Sequence, residues 1–258
     1  MKNRLVGAIV VKGGISVQSF SYKSYLPIGQ PKYLVENLER WGADEIILQC
    51  IDRHDCGPDF ALLSRVAELG LSTPLIYGGG IRTVDDGIEV IRHGADRVIV
   101  DSLVHDCHAT IRQLSDQLGT QALIASLPVC IENRKLKWID YRSRSSEELP
   151  ASLIKLLESN VFSEVVIVDY EHEGYPMSFD SDLINYFPVK DIQIIAFGGI
   201  SCSRQVATLM SFENVGAVAV GNQLLYREHA FQLVSGVDSS LDLRERTYSS
   251  DGLSILNA

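Results

Sequence analysis

No apolar run in this chain approaches the roughly 18 residues that a membrane-spanning helix needs, so an integral membrane protein is set aside and a soluble one is expected. Positive charge is also scarce. Against 33 Asp and Glu stand only 23 Lys and Arg, a formal net charge of -10, which gives nucleic acid or a membrane surface little electrostatic purchase as a partner. Phosphate groups remain possible ligands, because backbone amides bind them locally whatever the net charge. Cysteine forms no disulfide framework: Cys50, Cys56, Cys107, Cys130 and Cys202 are odd in number and scattered. With no signal peptide in view, a reduced, cytoplasmic setting is expected. Also missing is any Pro/Ser-rich linker that would cut the 258 residues into separately folding parts.

What is present is apolar content, 46% of residues, enough for a large core and, at this length, for two small domains or one α/β barrel. The organising stretch is Pro74-Leu75-Ile76-Tyr77-Gly78-Gly79-Gly80-Ile81. It is a short apolar run that breaks into three glycines ahead of a helix-like segment. Glycines there serve a tight turn, or they let the backbone approach a phosphate and turn N–H groups toward it. The phrase returns at Ile194-Ile195-Ala196-Phe197-Gly198-Gly199-Ile200.

Residues 5–11 (LVGAIVV) read as a first strand, ended by Lys12-Gly13-Gly14. Residues 25–30, polar and aromatic with Pro27 and Gly29, predict a flexible lid loop. Pro31 opens a helix with apolar residues at Leu34, Val35, Leu38 and Trp41, and Gly42 stops it. Strand and helix then alternate: strand 45–50, helix 60–69, strand 74–77, helix 84–93, strand 97–102. A shift of 119 lays Glu45-Ile46-Ile47-Leu48 over Glu164-Val165-Val166-Ile167 and Gly79-Gly80-Ile81 over Gly198-Gly199-Ile200. Residues 5–11 fall on 124–130 and, with one residue inserted, 97–102 on 217–222. Eight strand–helix units in two matching halves predict a single (β/α)₈ TIM barrel, with half-barrels of about 1–119 and 120–246. Two open four-stranded domains are disfavoured by the exposed edges they would leave. Residues 132–148 suggest a small hairpin or extended loop. Past residue 227 a last helix is expected, then a frayed tail at 247–258.

Active sites of such barrels lie at the C-terminal strand ends. That rule selects Gly79 and Gly80 with Ser102, and Gly198 and Gly199 with Gly221 and Asn222, as two phosphate cradles on opposite sides of the mouth. A ligand phosphorylated at both ends would suit them. Asp101 places negative charge beside the first cradle and would weaken an anion site unless its carboxylate turned away. Asp52, Asp169 and Glu171, with Lys12 behind them, are the candidates for acid–base work. Cys50, His54 and Cys56 match no common zinc spacing and supply too few ligands for a structural site, so no metal and no cofactor are expected.

The twofold repeat, the YGGGI and FGGI cradles, GADRVIV, and the Arg4-Leu5-Val6 strand leading to Lys12-Gly13-Gly14 resemble the histidine-biosynthesis barrels. Within them the chain is most similar to HisF, the cyclase subunit of imidazole glycerol phosphate synthase. The resemblance implies a glutaminase partner in a heterodimer, ammonia as co-substrate and a bis-phosphorylated ribosyl ligand. It also implies two catalytic aspartates, acting as general acid and base. Their positions here hold Val10 and Pro128, and the family's lysine falls on Gln18, so the family reaction cannot run by the family mechanism. The ring of charges that gates the family's ammonia channel appears as Arg4, Glu45, Arg97 and Glu164, with Asp96 beside it on the docking face. Without the resemblance, the same four charges would simply pair to offset desolvation. The expected function is a HisF-like, ammonia-using subunit turned to another amination or amidation, for which surface-polysaccharide sugar pathways offer a context. Imidazole glycerol phosphate synthesis by other residues and a silent phosphate-binding barrel are the alternatives.

Overall fold

A computed structural model describes residues 3–143 and 145–225. Among these, eight near-continuous apolar segments form parallel strands: β1 Arg4–Lys12, β2 Glu45–Cys50, β3 Leu75–Gly78, β4 Arg97–Val100, β5 Leu123–Glu132, β6 Glu164–Asp169, β7 Gln193–Phe197 and β8 Val215–Val220. Each pairs with the next, β5 pairs with β6, and β8 returns to β1, so the sheet closes in chain order as a (β/α)₈ barrel. The expected last helix and the tail at 247–258 lie outside the described residues.

Side chains of a strand point alternately to its two faces, and in a closed parallel sheet both faces are buried. One set, including Val6, Ile47, Ile99, Ile124, Val166 and Phe197, fills the barrel. The alternate set, including Leu5, Ile46, Leu48, Val98, Val165 and Ile167, packs outward. Local signals set the helices. Pro31 stands at the start of helix Pro31–Trp41, and Gly42 closes it at φ 81°. Helix Val84–Arg92 begins with a reciprocal cap between Thr83 and Asp86. Strand four stops earlier than the pattern of 97–102 predicts, since Ser102 opens the short helix Ser102–Asp106.

The lid loop is corrected. Ile15–Phe20 and Ser24–Gly29 are antiparallel strands that continue from β1 as a hairpin. Among the described residues Ser24–Gly29 pairs with Ile15–Phe20 alone; an edge position lets it tolerate Pro27, which with Gly29 makes the segment read as loop. The second half repeats the device: Lys135–Asp140 folds back antiparallel to β5 and pairs with Ser145–Glu147. Both hairpins enter through two-residue turns with positive φ, Gly13-Gly14 in one half and Asn133-Arg134 in the other. The twofold repeat therefore includes a hairpin after the first strand of each half.

Candidate functional site

At the N-terminal end of the barrel, Arg4, Glu45, Arg97 and Glu164 form a closed ring. Arg4 Nη1 donates to Glu45 Oε2 at 2.8 Å and to Glu164 Oε2 at 3.2 Å, and its Nη2 reaches Glu164 Oε1. Arg97 Nη1 donates to Glu45 Oε1 at 3.2 Å, and Nη2 lies 2.5 Å from Glu164 Oε2. Arg4 and Arg97 thus each meet both glutamates. Each glutamate is buried, and burial raises the Glu45 pKa despite both arginines. Arg97 is held further by Ser163 Oγ and the Gln121 carbonyl. Asp96 beside it is exposed, and its Oδ2 accepts from Leu75 N at 2.8 Å.

Stepping inward from the ring by twos along each strand leads to the other end. Glu45 leads to Gln49 and Ile51, Arg97 to Asp101, and Glu164 to Val168 and Tyr170; on β5 the same face carries Ser126 and Pro128. These residues floor a cavity of about 250 Å³. Gly78, Gly79, Gly80 and Ser102 form one wall of it. Gly79 sits at φ 134°, and a Cβ there would run into the Cys50 carbonyl, so the close approach of these backbones requires glycine. The hairpins roof the space. Tyr22, at the tip of the first, packs on the interior cluster, stacks on Tyr170 at 6.0 Å, and donates to Gln49 Oε1 at 3.4 Å. Tyr141 enters from the second.

Tyr22 carries φ 52°, uncommon for a bulky residue. The loop after β6 over-determines it. Ser21 N donates to Glu173 O at 2.8 Å, Ser21 Oγ to Glu171 O at 2.8 Å, and Tyr22 N to Glu173 Oε2 at 3.2 Å. Glu173 is 2% exposed, also accepts from Ser19 Oγ at 2.8 Å, and is pushed up to about 7 by burial.

The second cradle is less open. Gly198, Gly199, Gly221 and Asn222 surround a pocket of about 20 Å³, room for a water or two. Asn222 spends its side chain on the hairpin: Nδ2 donates to Ser19 O at 2.6 Å and to Gly174 O at 3.4 Å, and Oδ1 accepts from Ser19 N at 3.1 Å.

The proposed acid–base residues do not meet in the cavity. Asp52 is exposed and accepts from Gly13 N at 2.6 Å. Asp169, 1% exposed, turns into its own loop and accepts from His172 N at 3.2 Å, His172 Nδ1 at 2.9 Å and Asp180 N at 2.8 Å. The Glu171 side chain is exposed, and the Lys12 ammonium lies 3.8 Å from the Tyr25 ring centre. The carboxylate that does line the cavity is Asp101, which sequence reasoning noticed only as an obstacle to phosphate. Its Oδ2 accepts from Ser126 Oγ at 3.4 Å, and its buried Oδ1 has no hydrogen-bond partner among the described residues. Period-two counting from the ring would have found it. Val10 is buried beneath the first hairpin, paired with Val17, and Pro128 lines the cavity. Cys50 is buried with its thiol pushed up to about 12 by desolvation, whereas His54 and Cys56 are exposed. Among the described residues no group of three His, Cys, Asp or Glu is placed to hold a metal ion, and no helix is long and apolar enough to cross a membrane.

Comparison with known proteins agrees with this architecture. A Vibrio vulnificus protein provisionally named imidazole glycerol phosphate synthase subunit hisF2 is 30% identical over 90% of this chain and 84% of its own length. A second from the same organism, provisionally named subunit hisF3, is 23% identical over 88% and 89%. Imidazole glycerol phosphate synthase subunit HisF of Staphylococcus saprophyticus is 27% identical over 84% and 88%. The sequence pattern of the family described as histidine biosynthesis protein matches residues 4–230. Matched over most of its length by that pattern, the chain belongs to the histidine biosynthesis protein family.

Proposed function

We propose that this chain is the barrel subunit of a cytoplasmic, glutaminase-coupled complex. Ammonia from a docked glutaminase enters past Arg4, Glu45, Arg97 and Glu164, crosses the barrel, and meets a phosphorylated ligand at the opposite mouth. The observation that carries this reading is the alignment, on one set of strand faces, of a closed charge ring with a roofed cavity at the other mouth. The layer between them is apolar. Neutral ammonia enters such a layer at far lower cost than ammonium, so the barrel interior selects the nucleophilic form. Arg97 holds the ring with a rigid fork, which makes its opening stiffer than a lysine would. Gly79, Gly80 and Ser102 hold the phosphoryl group; Gly198, Gly199, Gly221 and Asn222 serve a second phosphate only if the Ser19 and Gly174 contacts release.

Val10 and Pro128 cannot move a proton, which directs the proposal away from the histidine-pathway cyclisation and toward another amination or amidation, surface-polysaccharide sugars being the context suggested by the resemblance. Co-expression with the glutaminase partner tests it. Wild type raises glutaminase activity and Asp96→Ala does not; no stimulation by wild type overturns the proposal. The relatives' names favour a second reading, imidazole glycerol phosphate synthesis itself. Growth of a histidine auxotroph lacking the cyclase subunit would establish that instead, and failure to grow is expected.

A further inference from the structure

We infer that Asp101 is the acid–base residue of the cavity, passing protons from incoming ammonia to the oxygen of a carbonyl group on a phosphorylated ligand. The inference rests on the proposed use of ammonia and names the ligand class, a phosphorylated carbonyl compound. Asp101 is the carboxylate among the described residues lining the cavity. It follows β4 on the inward face, two residues beyond Ile99, while its neighbour Ser102 belongs to the glycine cradle. A phosphoryl group seated there therefore leaves the reacting carbon only a short chain away.

The carboxylate is unusually free to act. Oδ2 has the Ser126 hydroxyl at 3.4 Å, and Oδ1 is buried with no hydrogen-bond partner among the described residues. A buried polar atom without a partner is costly, and is a mark of a group directed at something else. The groups facing it are Tyr22 from the first hairpin and Tyr141, Arg142 and Asp140 from the second. Burial is the largest influence and raises the Asp101 pKa to about 7; Ser126 and Arg142 draw it down and Asp140 pushes it up. Near neutral pH both forms are then populated, which a group that must accept and return a proton requires. Tyr22 and Tyr141 are pushed upward by burial and remain neutral donors.

The step balances without a co-reactant. The ammonia lone pair forms the N–C bond as the carbonyl π pair moves to oxygen. Two N–H protons pass in turn through Asp101 to that oxygen, the C–O bond breaks, and water leaves. One carbonyl and one ammonia give one imine and one water.

The test uses cells carrying this chain with its glutaminase, fed glutamine labelled with ¹⁵N at the amide, and mass spectrometry of phosphorylated metabolites. Wild type yields a ¹⁵N-labelled ion absent from cells lacking the gene. Asp101→Asn lowers that ion at least about 100-fold, its unaminated precursor accumulates, and Asp101→Glu retains part of the signal. A melting temperature of purified Asp101→Asn at or above that of wild type separates loss of chemistry from loss of fold. Wild-type labelling by Asp101→Asn overturns the assignment and leaves the ammonia reading standing. No labelled ion from wild type overturns both.

Discussion

At the N-terminal end of the barrel two arginines and two glutamates satisfy one another, each charge facing two of the opposite sign. At the C-terminal end Glu173 is buried and Asp101 half-buried with Oδ1 fully covered, and among the described residues neither carboxyl has a cation in hydrogen-bond contact; hydroxyls or backbone amides hold them. The strands joining these ends are equally apolar, so the difference lies in what the strand termini carry. A paired ring keeps its charges and fixes geometry. Carboxyls stripped of cationic partners answer desolvation by holding their protons, and their pKa values move toward the range where catalysis operates.

The comparison breaks most visibly at the ring. Arg4→Ala leaves Glu164 and Glu45 desolvated with Arg97 as their one remaining partner in the ring, and a loss of about 3–5 kcal/mol is expected from removing one member of a buried ion pair. Urea denaturation at pH 7 measures it. A loss below about 1 kcal/mol, the range of exposed pairs, would mean that water already solvates the ring.

The mouth differs in its response to pH. Glu173 has an ordinary value of 4.5 and a folded value of about 7, so the folded chain binds its proton more tightly than the unfolded chain does. Stability from this source is fully present below pH 4.5 and is lost as pH rises through 7, on the order of 3 kcal/mol over the whole window. Asp101 acts in the same direction. Midpoints of denaturation are therefore expected to fall between pH 5.5 and 8. Glu173→Gln keeps an acceptor for Ser19 and Tyr22 and removes part of that slope, and Asp101→Asn removes another part. An unchanged slope in both variants would show that the mouth is as well compensated as the ring.

The barrel was legible because eight apolar runs, punctuated by Gly-rich turns, repeat at an offset near 119 residues. The ring was legible through the family resemblance, which gives a role to four charges at the starts of strands. Two things were hidden. Ser24–Gly29 looks like a loop because Pro27 and Gly29 interrupt its short run, yet at the edge of a sheet Pro27 costs no ladder bond that a central strand would need. The direction of each strand-end acid was hidden because Asp169 and Asp101 both follow apolar runs, yet one falls on the outward face with Ile167 and the other on the inward face with Ile99. Period-two parity separates them. What parity does not supply is the roof: Tyr22 and Glu173 meet only because two segments about 150 residues apart in sequence fold over the same mouth.

The smallest effect on stability is expected at Asp96, where fold and docking can be pulled apart. Its carboxylate accepts from Leu75 N at 2.8 Å at the entrance to β3, as that of Asp44 accepts from Leu5 N at 2.7 Å ahead of β2. Alanine at 96 removes both the acceptor and the charge, so lost glutaminase stimulation in Asp96→Ala could arise from a loosened strand end. Asp96→Asn keeps an oxygen for Leu75 N and removes only the charge. Its stability is expected within about 0.5 kcal/mol of wild type, the usual range for a surface substitution, with Asp44→Asn as a matched control for the strand-entry bond. If Asp96→Asn also fails to raise glutaminase activity, the charge itself carries docking on the ring face. Full stimulation by Asp96→Asn would instead confine Asp96 to holding β3 in register and leave docking to the ring and its surroundings.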